Sequence, residues 1–154
     1  MRRFGFCVAT AALTMGAPAS AADLNGPARF CGYSPIIDLR KDESVTILQG
    51  GIHGGSFRWE GTFGSFEVSG IGWASRPPGR IVSPQSGQRP ARFAERRTEG
   101  RFEIAIWNGE QGAAYFRSDS PFTKQQVEAI KRVRLYNEGE TPQDCDLRTV
   151  FSWG

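Results

Sequence analysis

The chain starts with a segment typical of export signals, and this segment sets the conditions in which the remaining residues must fold. Arg2 and Arg3 give a cationic start, an apolar run of about 14 residues follows, and Ala19-Ser20-Ala21 matches an A-x-A cleavage signal. A membrane-spanning helix needs roughly 20 apolar residues. The pattern therefore predicts a removable signal peptide over residues 1–21, a periplasmic or secreted location and no membrane span.

Two cysteines are left once the predicted signal peptide is removed, because Cys7 lies within it. In an oxidising compartment an even pair predicts a disulfide, here between Cys31 and Cys145. Such a bond closes a loop of more than a hundred residues, which the chain-entropy model values at about 4–5 kcal/mol. Two free or metal-binding thiols are the alternative, but neither cysteine has the accompanying His or CxxC that a metal site requires.

The length and charge of residues 22–154 set limits on the architecture and on the partners. This stretch has the size of one globular domain. Without Arg2 and Arg3 it carries 17 basic against 16 acidic residues, so its net charge is +1. A nearly neutral domain has no global attraction to nucleic acid or to a membrane surface. We therefore expect no nucleic-acid partner, and any attraction to anions must come from a local cluster.

Alternating apolar and polar residues predict that the domain is mostly β-sheet. Five segments show this pattern or a β-branched run: Ser44–Gln49, Ser56–Glu60, Ser65–Ser69, Arg101–Trp107 and Ala113–Arg117. The last two are joined by Asn108-Gly109 and a few further residues, which predicts a hairpin with a longer loop. After Gly70 the apolar positions change parity, to Ile71 and Trp73, which predicts a bulge at this glycine.

One helix is expected near the C-terminus. Thr123 followed by Gln126 forms a capping-box pattern, so the helix should begin at Thr123. Its end is open, because Val133 and Leu135 fit either a helix or a strand, and 147–153 alternates like a last strand. The predicted fold class is α+β, with a mostly antiparallel sheet of six to eight short strands, one C-terminal helix and the disulfide.

Residues 74–100 show no clean period and contain four of the nine prolines, which predicts a long Arg/Pro-rich loop. The stretch has a net charge of +4, against −3 for the rest of the domain, since two glutamates accompany six arginines: Arg76, Arg80, Arg89, Arg92, Arg96 and Arg97. One hypothesis is an arm that binds anions through Arg89, Arg92, Arg96 and Arg97, whose guanidinium groups suit phosphate and carboxylate. The other, and commoner, interpretation is a solvated loop whose arginines pair with Glu95, Glu99 or nothing.

No catalytic or metal site is predicted. His53 is the only histidine and lies in the glycine-rich stretch 50–55, where a hairpin turn is the simpler explanation. Neither a G-x-S-x-G motif nor a Cys and His pair is present. Glu60, Glu67 and Glu103 fall at outward strand positions, where acids on a solvated face are the ordinary case. No cofactor is expected.

Among the tryptophans, Trp107 is the best candidate for an exposed or second-layer aromatic residue. It lies on the strand face opposite Phe102, Ile104 and Ile106, whereas aromatic residues on strands mostly build the core. An exposed aromatic side chain could stack on sugars or peptides, so Trp107 is included among the candidate binding residues.

These observations leave two hypotheses for the function. The first is a non-catalytic binding or inhibitor-like module that contacts an anionic envelope polymer or a partner protein. The second is a small periplasmic hydrolase that uses carboxylates or His53. The first is favoured because binding needs only a surface, whereas catalysis needs a constellation of residues that the sequence does not display.

Overall fold

The computed structural model describes residues 22–136 and 144–148. The predicted signal peptide, Trp153 and most of the predicted last strand lie outside the described residues. In chain order the elements are β1 (Leu24–Asn25), β2 (Ala28–Cys31), β3 (Pro35–Leu39), β4 (Ser44–Gln49), β5 (Gly54–Gly61), β6 (Gly64–Ile71), β7 (Ile81–Ser83), β8 (Ala91–Phe93), β9 (Arg96–Thr98), β10 (Arg101–Trp107), β11 (Ala113–Ser118), α1 (Lys124–Ile130), β12 (Arg134–Leu135) and β13 (Leu147–Arg148).

The predicted fold class is confirmed. Among the described residues there is one helix, and every strand pairing is antiparallel except that of β13 with β2. Seven strands have four or more residues, within the six to eight expected. The other strands have two or three residues, too few for an alternation to be visible in the sequence. A larger sheet has the order β1-β4-β5-β6-β11-β10-β8-β7, with β9 also paired to β10, and a smaller one has the order β12-β3-β2-β13.

The main core lies between the two sheets. The smaller sheet contributes Phe30 and Ile37, and the larger sheet contributes Trp59, Phe66 and Phe116 among other buried side chains. Phe66 contacts both Trp59 and Phe116 edge-on, with ring centroids 5.4 and 5.7 Å apart. Edge-to-face packing of this kind adds to the free energy of burial. The even positions of β6 and β10 face this core, as their alternation predicts.

A disulfide closes the smaller sheet. Cys31 and Cys145 have their sulfur atoms 1.99 Å apart and their Cα atoms 5.9 Å apart, which confirms the predicted pair. Cys31 ends β2, and β13 begins two residues after Cys145 and runs parallel to β2, with Leu147 opposite Phe30. The bond therefore holds the chain's last described strand against its second.

The helix begins as the capping box predicts. Thr123 Oγ1 accepts a hydrogen bond from the Gln126 backbone N–H at 3.2 Å, and Gln126 Oε1 accepts one from the Thr123 N–H at 2.9 Å. The helix ends at Ile130, and Leu135 belongs to β12, so the strand alternative is correct for the second half of this segment. In the part of the chain that the structure describes, no helix has the length and hydrophobicity of a membrane span.

The bulge predicted at Gly70 is absent. Gly70 pairs in regular register with Gly55 on one side and Ala114 on the other. It continues the even, core-facing positions of β6, and a Cβ at this position would lie 2.7 Å from Pro35 Cδ. Gly70 is therefore a core position without a side chain, which made the apolar pattern appear to change parity.

Residues 74–100 are not one continuous loop, because they contain β7, β8 and β9. β8 pairs with β10 and places Ala91 and Phe93 on the outer face of the larger sheet. These side chains form a second small core with Ala105, against which Trp107 packs. The interruptions by proline and glycine hid these three-residue strands in the sequence.

Candidate functional site

Arg89 projects from a tight turn between β7 and β8. The backbone N–H of Ser86 donates to the Arg89 carbonyl at 3.1 Å, and the Arg89 N–H donates to the Ser86 carbonyl at 2.9 Å. Gly87 lies in the turn with φ of 55°, a conformation that favours glycine. Two backbone hydrogen bonds therefore fix the point from which the Arg89 side chain extends.

Asn108 connects this region to the end of β12. Its Oδ1 accepts hydrogen bonds from the backbone N–H groups of Glu110 and Gly112, at 2.9 and 3.0 Å. Its Nδ2 donates to the carbonyl of Tyr136 at 3.2 Å. Asn108 is buried, and these three bonds satisfy most of its polar side chain. The β10–β11 turn is thus held against the strand that follows the helix.

Two cavities of about 390 and 420 Å³ lie between these elements. Both are lined by Gln88, Arg89 and Arg134, so they adjoin at these residues. We call the two together the basic groove. The first cavity is further lined by Asn108 and Glu110, and the second by Glu128, Lys131, Arg132 and Val133.

The cations of the basic groove differ in how well they are neutralised. Arg132 donates to Glu43 at 2.6 Å and lies over the Trp59 ring at 5.3 Å, so it is engaged in the structure. Lys131 binds Glu128 at 2.7 Å, and Arg134 lies 3.7 Å from Asp38. The exposed Arg89 side chain makes no hydrogen bond or ion pair with any described residue.

Arg92 adds a second arginine without a carboxylate partner. Its Nε is buried and has no hydrogen-bond acceptor among the described residues. The pKa of Glu128 is lowered, first by its hydrogen bond from Lys131 and also by the charges of Lys131, Lys124 and Arg92. Arg92 therefore acts electrostatically on the rim of the basic groove. A buried N–H without an acceptor is costly.

The other two candidate arginines lie elsewhere. Arg96 donates to Glu103 from Nε at 2.9 Å and from Nη2 at 2.5 Å, which makes it part of a buried ion pair. Arg97 lies over the Phe102 ring at 5.0 Å and donates to the Gly100 carbonyl at 3.2 Å. Arg89 thus lines the basic groove, and Arg92 acts on Glu128 at its rim without lining either cavity, whereas Arg96 and Arg97 make their contacts elsewhere.

A row of alternating charges crosses the outer face of the larger sheet. Its members are direct cross-strand neighbours on five strands: Arg58, Glu67, Arg117, Glu103 and Arg96. We call this set the charge row. Glu103 is only 1% exposed, and its second oxygen accepts from Arg117 Nε at 3.0 Å. The expectation that Glu103 is solvated is wrong, because the arginines on both sides bind its two oxygens and it is buried.

Trp107 is a second-layer side chain and not an exposed one. It is partly buried against the small outer core, and its Nε1 donates to the Glu110 carbonyl at 3.1 Å. Among the tryptophans of the described residues, the exposed one is Trp73, at 68%. Continuing the alternation of β6 through Gly70 without a bulge would have placed Trp73 outward, so the sequence did contain this signal.

Of the groups considered for catalysis, His53, Glu67 and Glu103 make other contacts, while Glu60 lines an open cavity together with Arg58. His53 stacks on Trp73 with ring centroids 4.6 Å apart, and it bonds to no carboxylate in the described part of the chain. Glu103 has both oxygens bound by arginine, and Glu67 accepts from Arg101 at 2.8 Å. No group of three or more potential metal ligands occurs within 22–136 and 144–148.

Sequence reasoning missed Arg134 and Lys131 as residues of the groove. Both follow or end the helix in sequence, about forty residues from Arg89, and nothing local links them to it. Their proximity arises because β12 joins the smaller sheet, with Arg134 opposite Ile36.

Comparison of the chain with protein-family models finds no match, and comparisons with curated proteins and with solved structures find no significant match.

Proposed function

We propose that this chain is an exported, non-catalytic binding domain that holds an anionic envelope polymer in the basic groove. The observation that carries the proposal is that Arg89 and Arg92 form no ion pair with a described carboxylate, whereas Arg96 of the same segment is ion-paired and Arg76 and Arg97 lie over aromatic rings. Arg80 also has no ion pair among the described residues, but unlike Arg89 it does not line the groove. Guanidinium groups bind phosphate and carboxylate in a forked geometry. The polymer would therefore carry phosphate or carboxylate groups.

The groove is suited to binding by its rigidity as well as its charge. Arg89 extends from a turn closed by two backbone hydrogen bonds. The Asn108 side chain makes three hydrogen bonds to backbone groups, which hold the β10–β11 turn against the end of β12. Side chains on such supports lose less conformational entropy when a ligand binds. Glu110 and Glu128 line the same groove, so the attraction would be local and selective.

Export is supported by two independent features. The first 21 residues have the order of a cleavable signal, and Cys31 and Cys145 form a disulfide, a bond typical of oxidising compartments. A periplasmic or secreted domain would meet the anionic polymers of the cell envelope directly.

Binding of long-chain polyphosphate and of polygalacturonate at low ionic strength, measured by calorimetry, tests this function. The parent protein should bind at least one of them. R89Q/R92Q should bind it at least about tenfold more weakly, because each charge-assisted hydrogen bond contributes about 1.5–3 kcal/mol. The matched control is R80Q/R97Q, which removes the same charge from the same segment but outside the groove.

The Glu110→Gln variant tests the groove in the opposite direction. Glu110 lines the first cavity and repels an anion there, so its neutral analogue should bind more tightly than the parent. The proposal would be overturned by a parent that ignores both polyanions, or by equal losses in R89Q/R92Q and R80Q/R97Q, since equal losses would show attraction by net charge alone.

A further inference from the structure

Trp73 and His53 form an exposed aromatic platform. Their rings stack with centroids 4.6 Å apart and 19° between their planes, while Trp73 stays 68% exposed. The platform is held in place by backbone contacts, since the Gly72 N–H donates to the His53 carbonyl at 3.2 Å. The Gly51 N–H donates to the Tyr33 hydroxyl at 2.9 Å in the same loop. The large apolar side chain of Trp73 is thus held at the surface and is not buried in the core.

Polar groups border the same indole. An open cavity of about 450 Å³ is lined by Trp73, Ala74, Ser75 and Gln111. His53 does not line this cavity. The Ala74 N–H donates to the Gln111 carbonyl at 2.6 Å, which keeps the two segments together. A flat apolar face beside a hydroxyl and an amide suits a sugar ring, which has an apolar C–H face and hydroxyl edges.

The platform lies next to the basic groove. Gln111 lines the platform cavity, and the preceding residue, Glu110, lines the groove. Consecutive Cα atoms are about 3.8 Å apart. The two binding surfaces therefore meet at the β10–β11 turn, where a single polymer would contact both.

We propose that the ligand is an acidic polysaccharide, whose carboxylates bind Arg89 and Arg92 while a neighbouring sugar ring stacks on Trp73. This inference rests on the proposed function and names its ligand class. The phosphates of polyphosphate can bind the arginines of the groove, but polyphosphate has no apolar face that could stack on Trp73. Binding of a polyuronic acid should thus require both surfaces, and binding of polyphosphate only the groove.

Titration of Trp73→Ala with polygalacturonate and with polyphosphate separates the two contributions. W73A should bind polygalacturonate about three- to tenfold more weakly than the parent, as expected for the loss of one aromatic stacking contact. Its affinity for polyphosphate should be unchanged. Because Trp73 is exposed, the variant should fold, which circular dichroism checks. W73F keeps a flat ring and should recover most of the affinity.

Leu48→Ala is the matched control, because it also removes an exposed apolar side chain but lies outside the platform and the groove. It should bind both polymers as the parent does. If polyphosphate binds in an Arg89- and Arg92-dependent way while polygalacturonate does not bind, or binds equally to W73A, the polysaccharide assignment is wrong and the proposed function stands. If neither polymer binds the parent, both are wrong.

Discussion

The charge row and the basic groove use the same side chain, arginine, for opposite purposes. In the charge row each carboxylate has an arginine opposite it on the next strand, and Glu103 is buried between Arg96 and Arg117. At the basic groove Arg89 and Arg92 form no ion pair with a carboxylate of the described chain, and the groove's own acids bind other cations or none.

The difference follows from strand register. Arg96 and Arg117 are direct neighbours of Glu103 on the two flanking strands, where opposite charges stabilise a sheet. Arg89 extends from a turn outside any ladder, so no register assigns it a partner. Composition alone treats all these arginines as equivalent, but the pairing separates those that stabilise the fold from those that remain open to a ligand.

The largest expected effect is on stability in the charge row. R96Q/R117Q leaves Glu103 buried without a compensating cation, so the free energy of unfolding should fall by about 3–5 kcal/mol. Urea denaturation measures this. The exposed groove variant R89Q should change the same quantity by less than about 0.5 kcal/mol. A loss below about 1 kcal/mol in the double variant would show that Glu103 is stabilised by something other than these arginines.

The second expected effect is the response to salt. Raising the salt concentration fourfold should weaken polyphosphate binding to the parent by about tenfold, through release of counterions and screening of exposed charges. R89Q/R92Q should show a shallower dependence. The urea midpoint should change less, because the Glu103 side chain in these ion pairs is only 1% exposed. A binding constant insensitive to salt would argue against charge as the basis of binding.

Local patterns predicted a large part of the fold. The structure confirms the bounds of β4 and β10, the helix start at Thr123 and the Cys31–Cys145 pair. These features were predictable because strand patterns and helix caps depend on nearby residues, and the disulfide on the number of cysteines. The prediction of a bulge at Gly70 was wrong because a glycine on the core face has no side chain and therefore does not appear in the apolar pattern. Strands as short as β8 give no period at all.

The site was less accessible to prediction. A net charge of +4 correctly drew attention to residues 74–100, but it could not show which arginines would pair. The pairing of Arg96 depends on the position of Glu103 opposite it on the adjacent strand. The lining of the groove depends on Arg134, which is distant from Arg89 in the sequence. Both are consequences of tertiary pairing, which composition does not contain.

The helix cap tests whether stability and binding are independent. Thr123→Ala removes the acceptor for the Gln126 N–H and should lower the free energy of unfolding by about 0.5–2 kcal/mol. Affinity for polyphosphate should be unchanged, because Arg89 and Asn108 are held by turn and sheet contacts and not by the helix start. A parallel loss of binding would mean that the helix positions the groove.

The smallest expected effect concerns the hydroxyl of Tyr136, the residue after β12 whose carbonyl accepts from Asn108. Its hydroxyl donates to the Gly32 carbonyl at 2.9 Å, and burial raises its pKa to about 12. An unfolded tyrosine titrates near pH 10. The folded state holds this proton more tightly, so the stabilisation is complete below about pH 10 and is lost as the pH rises towards 12.

Tyr136→Phe cannot ionise and lacks the hydrogen bond, so it should be less stable than the parent by about 0.5–1.5 kcal/mol at neutral pH. Its unfolding free energy, measured in urea at several alkaline pH values, should then decline less steeply than that of the parent. The remaining tyrosines and the lysines titrate in both proteins, so the difference between the two curves isolates Tyr136. Parallel curves would show that this hydroxyl does not depend on the fold for its protonation.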